Sequence, residues 1–224
     1  SQREYVMMPE VPKLYHIVHF DRLPSILNSQ GLLCDAVMAA HDGLGTTIGM
    51  GSIKRRRLEE LTLESHPGLY VGECVPFYFC PRSIMLYLLY QANHPELTYR
   101  GGQESIVHLQ ADLHATIEWA TQQQRRWAFT LSNAGAYYFE DRADIAQLDE
   151  INWNAVQAHR WSGNGIARSI KEGKQAEFLV EQDFPWHLVE RIGVRSRRMH
   201  QAVMDCLPAN IHRPPVEIMR DWYY

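Results

Sequence analysis

From Leu14 to His19 apolar and polar side chains alternate, the period of two that suits a strand with one face in the core. Asp21 stands just ahead of Leu23, Ile26 and Leu27, a spacing that predicts a short helix capped by Asp21 and ended by Gly31. The pattern then dissolves: Gly43, Gly45, Gly49 and Gly51 lie among small residues, so the segment from Cys34 to Gly51 is expected to be a mobile loop. Ile53 to Leu63 is charged and nearly free of breakers, which predicts a short helix. Val71 to Cys80 predicts a strand closed by Pro81, and Ser83 a cap for a helix through Met85, Leu86, Leu88 and Leu89. Alternation returns from Ser105 to Ala111, and Trp127–Thr130 and Tyr137–Phe139 are short and β-prone.

From Arg142 to Glu172, residues Trp153, Trp161, Gly163 and Gly165 predict short helical turns joined by a flexible loop. Ala176–Val180 predicts a strand, Pro185-Trp186 the start of a helical turn, and Ile192–Arg195 a further strand. No repeat, low-complexity tract or linker interrupts this order. The expectation is therefore an α+β chain forming one domain over residues 1–224.

With 224 residues, 46% of them hydrophobic, the chain can build a sizeable core without a disulfide or a metal. A balance of 22 Lys+Arg against 26 Asp+Glu, net −4, removes the global basic field typical of nucleic-acid binders, so any phosphate contact must come from local clusters. Cys34, Cys74, Cys80 and Cys206 show neither a C-x-x-C pair nor a regular spacing. They read as reduced thiols of a cytoplasmic protein with no metal site. No stretch reaches the roughly 18 apolar residues of a membrane span, and Ser1-Gln2-Arg3-Glu4 opens no signal-like apolar run; Ser1 itself reads as a scar of a cleaved tag.

Glu177 carries the sharpest chemical signal, because a carboxylate amid apolar strand residues costs several kcal/mol if buried unpaired. Two readings stand. Either Glu177 lies on an edge strand and faces water, or it is a catalytic acid; Gln175 shares its face, directly after the long Trp- and Gly-containing loop. The second reading suits chemistry at a ribose, where breaking a glycosidic C–N bond passes through an oxocarbenium-like cation that a carboxylate stabilises. His16 ends a strand that feeds a helix, so it is either a core histidine or a nucleotide contact. Lys54-Arg55-Arg56-Arg57 is either a solvated helix face or a phosphate-binding cluster, with one arginine turned inward and the others outward. Tyr78, Phe79, Pro81, Arg82 and Met85 surround a strand-to-helix turn on which a flat ring can stack. Asp221-Trp222-Tyr223-Tyr224 reads as a tail that docks on the core.

Together, Leu14–Asp21, Ile53–Arg57, Val75–Tyr87, Gly101-Gly-Gln-Glu104, Lys174–Val180 and Asp221–Tyr224 resemble, in order, the motifs of the DarT family of bacterial toxins. The resemblance covers nearly the whole chain apart from the segment between Cys34 and Gly51. It implies an ADP-ribosyltransferase fold, a split, twisted β core with flanking helices. It also implies NAD+ as co-substrate, transfer of ADP-ribose to a base of single-stranded DNA with release of nicotinamide, a monomeric toxin, and an antitoxin macrodomain that removes the mark. By the same resemblance Glu177 is the catalytic glutamate, Arg57 the catalytic arginine near the diphosphate, and His16 and Tyr78 further cofactor contacts. Met85, Arg82, Arg55, Arg56, His159 and Trp161 are the expected DNA contacts. The Lys174–Phe178 block and the Pro76–Arg82 turn resemble the thymine-modifying branch more than the guanine-modifying one. Transfer to guanine, RNA or protein, and a non-catalytic module that binds NAD+ or DNA, are the rival readings.

Overall fold

The computed structural model describes residues 7–41 and 43–224, so the opening Ser1–Glu4 lies outside the described residues. In chain order the elements are β1 (Lys13–His19), α1 (Leu23–Asn28), β2 (Gly31–Leu33), α2 (Asp35–Met38), α3 (Gly51–Glu59), β3 (Cys74–Tyr78) and α4 (Ile84–Gln91). Then follow β4 (Ile106–Asp112), α5 (Leu113–Gln122), β5 (Trp127–Thr130), β6 (Asp141–Arg142), α6 (Trp153–Gln157) and α7 (Arg168–Lys174). The last are β7 (Glu177–Glu181), β8 (Asp183–Pro185), β9 (Arg191–Val194), α8 (Arg197–Cys206) and β10 (Val216–Ile218).

Eight strands form one sheet in the order β10-β9-β4-β1-β3-β7-β5-β6, and β2 pairs with β8 beside it. The sheet is nearly two sheets. β1 is laddered to β4 along its length, from Lys13↔Asp112 to His19↔Ile106, but meets β3 at a single pair, Tyr15↔Tyr78. On the other side β3 runs fully paired with β7, from Cys74↔Glu181 to Tyr78↔Glu177. The main core gathers Leu14, Val18, Phe77, Leu109 and Phe178 with Trp186 and Val203 from flanking elements. The backbone rung missing between β1 and β3 is replaced by a side chain: His16 Nδ1 lies 2.7 Å from the Pro76 carbonyl. The carbonyl and ring nitrogen of one strand residue face the same side, so the N–H that proline lacks points toward the split and forfeits no ladder bond.

Several expectations change. Asp21 caps no helix: α1 has Arg22 at its N-cap, and the Asp21 carboxylate instead receives the Thr46 amide at 2.8 Å and the Thr46 hydroxyl at 2.5 Å. The segment from Cys34 to Gly51 is accordingly tied down at Thr46, and it contains α2, whose Asp35 pairs with Lys54 at 3.2 Å. Gly31 begins β2 and follows Gln30, both with positive φ, and a Cβ on Gly31 would meet the Phe184 carbonyl oxygen at 2.0 Å. Tyr137–Phe139 forms no strand, and β4 is buried on both faces save its last residue: Val107, Leu109 and Ala111 lie in the main core, Ile106 clusters with Leu86 and Leu89 of α4, and His108 packs against Trp222 and Tyr223. Ser83 does cap α4, accepting the Leu86 amide at 3.1 Å.

Candidate active site

Glu177 opens β7, an internal strand between β3 and β5, and is only 2% exposed. The water-facing edge-strand reading is therefore removed. Its buried charge is compensated by Arg57, which donates from Nη2 to Oε1 at 2.9 Å and from Nη1 to Oε2 at 3.3 Å. The Ala134 amide adds a third bond to Oε2 at 2.9 Å, and the Glu177 amide donates to the Thr130 hydroxyl at 2.9 Å. This two-pronged geometry holds the carboxylate at a fixed orientation, as a planar guanidinium does best. Burial works against the charge on Arg57, but Glu177 more than offsets it and raises the arginine's pKa. Arg57 is thus a permanent cation, suited to stabilising an anion and unsuited to taking up a proton.

Arg57 reaches the cleft because α3 turns its members apart. Ile53, Lys54 and Arg57 line the cleft while Arg55 is exposed, so one arginine does turn inward. The cleft, about 1040 Å³ measured out to its open mouth, lies over the split between β1 and β3. His16, Arg22, Tyr78, Met85, Arg57, Asn133 and Glu177 share its walls. Burial pushes the His16 ring down to about 4, so at neutral pH it is uncharged. With Nδ1–H donated to Pro76, Nε2 keeps a lone pair toward the cleft, ready to accept from a hydroxyl. Burial and the Glu177 charge raise the Tyr78 phenol, and no described residue engages its hydroxyl.

Arg22 is the residue that the sequence did not disclose. It lines the same cleft, its Nε is buried with no hydrogen-bond partner, and its Nη2 touches only the Met38 sulfur at 2.7 Å. A guanidinium at a cleft wall with donors to spare is suited to an anion. Adjacency to the strand end was the one available signal, and the acid beside it, Asp21, drew the cap reading instead.

The expected DNA contacts divide. Met85 lies in the cleft with Tyr78 and Glu177, whereas Arg55 and Arg56 stand on the rim, Arg56 donating to the Gly135 carbonyl at 3.0 and 2.6 Å. His159 is exposed, but Trp161 is 7% exposed, donates its indole N–H to the Tyr224 hydroxyl at 3.0 Å and meets Tyr87 edge-on. Trp161, like buried Trp153, is part of the packing and is not a free surface on which a base can stack. Arg82 is likewise occupied: it lies 3.8 Å over the Tyr224 ring and donates to the carbonyls of His159 and Tyr223 at 2.8 and 3.3 Å. The C-terminal tail does dock on the core, with the Tyr223 hydroxyl donating to the Ile106 carbonyl at 2.6 Å. Among the described residues no three His, Cys, Asp or Glu side chains are grouped to hold a metal, and no helix is long and apolar enough to cross a membrane.

Comparison with known proteins bears on this arrangement. A solved structure, Thermus sp. 2.9 DarT in complex with ADP-ribosylated ssDNA, superposes with a TM-score of 0.86 at 33% identity, covering 98% of this chain and 100% of that one. The same Thermus protein in complex with NAD+ gives a TM-score of 0.81, covering 97% and 100%. In sequence, the DNA ADP-ribosyl transferase of Thermus sp. (strain 2.9) is 36% identical over 221 residues, 96% of this chain and 98% of that protein. The fold is that of a DNA ADP-ribosyltransferase. The family model described as "ssDNA thymidine ADP-ribosyltransferase, DarT" matches residues 15–224, and the chain belongs to the DarT family.

Proposed function

We propose that this chain transfers ADP-ribose from NAD+ to a thymine base of single-stranded DNA and releases nicotinamide. The observation that carries the reading is one cleft at the sheet split in which Glu177, Arg57, neutral His16, Tyr78 and unsatisfied Arg22 converge. These residues fit NAD+ by chemistry: Arg22 and Arg57 offer cations to the diphosphate, and His16 Nε2 offers an acceptor to a ribose hydroxyl. Tyr78 offers an aromatic face to a flat ring. The NAD+ and DNA complexes of the Thermus relative support the same pairing of substrates.

In this mechanism Glu177 stabilises the ribose cation as the bond to nicotinamide breaks, and accepts a hydrogen bond from the sugar. Arg57 stabilises the negative charge that grows on the base as its imide nitrogen gives its proton to water and attacks C1 of the ribose, from which nicotinamide leaves with the bonding electron pair. That nitrogen lies on the pairing edge, so unpaired strands are the substrate and duplex is not. The protein acts as a single domain over residues 1–224, as a monomer in the cytoplasm, and as the toxin of a toxin-antitoxin pair whose partner is a macrodomain that removes the mark. Mass spectrometry of thymine-containing and thymine-free single-stranded oligonucleotides, incubated with the protein and NAD+, tests the reading. A mass gain of one ADP-ribose confined to thymine-containing strands supports it. Gain on guanine-only strands, on RNA or on protein moves the acceptor, and NAD+ binding without nicotinamide release leaves only a binding module.

A further inference from the structure

The loop that begins beyond β5 carries two neighbouring tyrosines which the cleft does not use. Tyr137 is 78% exposed and Tyr138 80% exposed, whereas every other described Phe, Trp or Tyr ring but that of Tyr90 is buried or half-buried. A ring left in water at that level stabilises nothing in the fold.

The loop is tied down by hydrogen bonds all the same, one of them to the Glu177 carboxylate. The Ala134 amide donates to Glu177 Oε2 at 2.9 Å, Asn133 donates to Gln175 Oε1 at 3.1 Å, and the Gly135 amide returns to Asn133 Oδ1 at 2.8 Å. A Cβ on Gly135 would meet Ile53 Cγ2 of α3 at 2.8 Å, so the loop lies close against that helix. Arg56 fixes the next link: it donates twice to the Gly135 carbonyl and places its guanidinium 4.2 Å from the Tyr137 ring centroid. One face of the phenol is thereby covered by a cation and the other is left open. Tyr137 lies three positions beyond Ala134, a reach of at most about 11 Å from the amide that holds Glu177.

Charge indicates which side of the loop a polyanion can use. On the α3 side Arg55 and Arg56 have no carboxylate partner among the described residues. On the far side Tyr138 shares a depression with Glu140, Glu150 and Glu172, whose charge Arg142 and Arg168 answer only in part, three acids against two bases, so that side offers phosphate no free cation among the described residues. The open face of Tyr137 on its arginine prop is thus the stacking surface beside the cleft that a DNA strand can approach.

Resting on the functional reading above, we propose that Tyr137, propped by Arg56, is the stacking platform for the base next to the target base in single-stranded DNA, with Arg55 facing its phosphate. The ring is prepositioned, so little order is lost on binding, and a π-face makes the platform tolerant of which base it receives. The experiment measures binding of fluorescent single-stranded oligonucleotides by anisotropy, and KM and kcat for transfer. The oligonucleotides have either ordinary nucleotides or abasic residues flanking a single thymine. Tyr137→Ala is expected to weaken binding and raise KM about 10-fold or more with kcat at saturating DNA largely kept, and Tyr137→Trp to restore both. The penalty is expected to vanish on the abasic oligonucleotides. Equal affinity for Tyr137→Ala and the unsubstituted protein, or a penalty that persists on abasic strands, overturns the platform. Absence of transfer by the unsubstituted protein overturns the functional reading instead, while the binding comparison still decides the platform.

Discussion

Two regions of this molecule are built from nearly the same parts. In the cleft, Arg57 stands beside His16, whose ring meets the Pro76 carbonyl, and beside Tyr78. At the C-terminal seam, Arg82 stands over Tyr224, and His108 meets the Pro81 carbonyl at 2.7 Å. Burial drives both histidines to about 4. The difference lies in what answers the arginine. Arg57 faces a carboxylate, while Arg82 is answered by carbonyls and a ring. His16 keeps its second nitrogen toward open space, whereas Nδ1 of His108 is sealed, without a partner, against Trp222 and Tyr223. Paired charge with an open acceptor is the arrangement proposed above for chemistry; the same residue types closed on themselves make a joint.

The largest test of that contrast is Glu177→Gln, which keeps the shape but removes the charge and turns one of two accepting oxygens into a donor. Transfer measured by oligonucleotide mass gain is expected to fall about 10²-fold or more. Both glutamine and alanine leave Arg57 buried without a counter-charge, at about 3 kcal/mol or more of stability, so melting temperature is followed alongside; glutamine keeps the volume and one acceptor oxygen that alanine loses. An unchanged rate would remove Glu177 from the chemistry and collapse the distinction between cleft and seam.

Arg22→Met sharpens it next. The KM for NAD+ is expected to rise about 10-fold, the loss of one charge-assisted contact to phosphate. The melting temperature should hold or rise, since the orphaned Nε disappears. A fall in melting temperature with unaltered KM would make Arg22 a structural residue.

The histidines predict a shared pH signature. An unfolded histidine takes up its proton near pH 6.5, and these folded ones refuse it until about 4. Stability is therefore whole above about pH 6.5 and declines as pH falls toward 4, by about 1.4 kcal/mol per pH unit for each ring that stays neutral. His108, sealed in the core, carries more of this than His16, which borders an open cleft. Chemical denaturation at stepped pH checks it, and His108→Gln should flatten the profile.

The smallest effect belongs to the seam. Tyr224→Phe removes a hydroxyl that accepts from Trp161 and donates to the Ser83 carbonyl at 2.9 Å, and should lower the unfolding free energy by about 1 kcal/mol in a urea titration. A loss of transfer as large as that of Glu177→Gln would show that the seam takes part in the chemistry.

How much of this the sequence disclosed follows from the range of each signal. Period and turn chemistry are local, so β1, α3, the Ser83 cap and β7 were legible. Glu177 was legible because an acid among apolar neighbours is a local anomaly. Whether a strand lies at the edge of a sheet is not a local property, and only the pairing of β7 with both β3 and β5 excluded the solvent-facing alternative. Arg82 and Trp161 misled for the same reason. Their partners, Tyr223 and Tyr224, lie at the far end of the chain, and nothing near either residue says that its surface is already taken. Asp21 was read as a cap because a cap is the nearest use for a carboxylate before a helix, but Thr46, 25 positions on, claimed it.

The lone rung joining Tyr15 to Tyr78 has a mechanical consequence. Each half of the sheet is stiffened by its own continuous ladders, so a force that spreads the walls of the cleft is resisted between the strands by that rung and the His16–Pro76 bond instead of along a full seam. Parting the strands there would break one backbone pairing and one side-chain bond and leave the ladders of both halves whole.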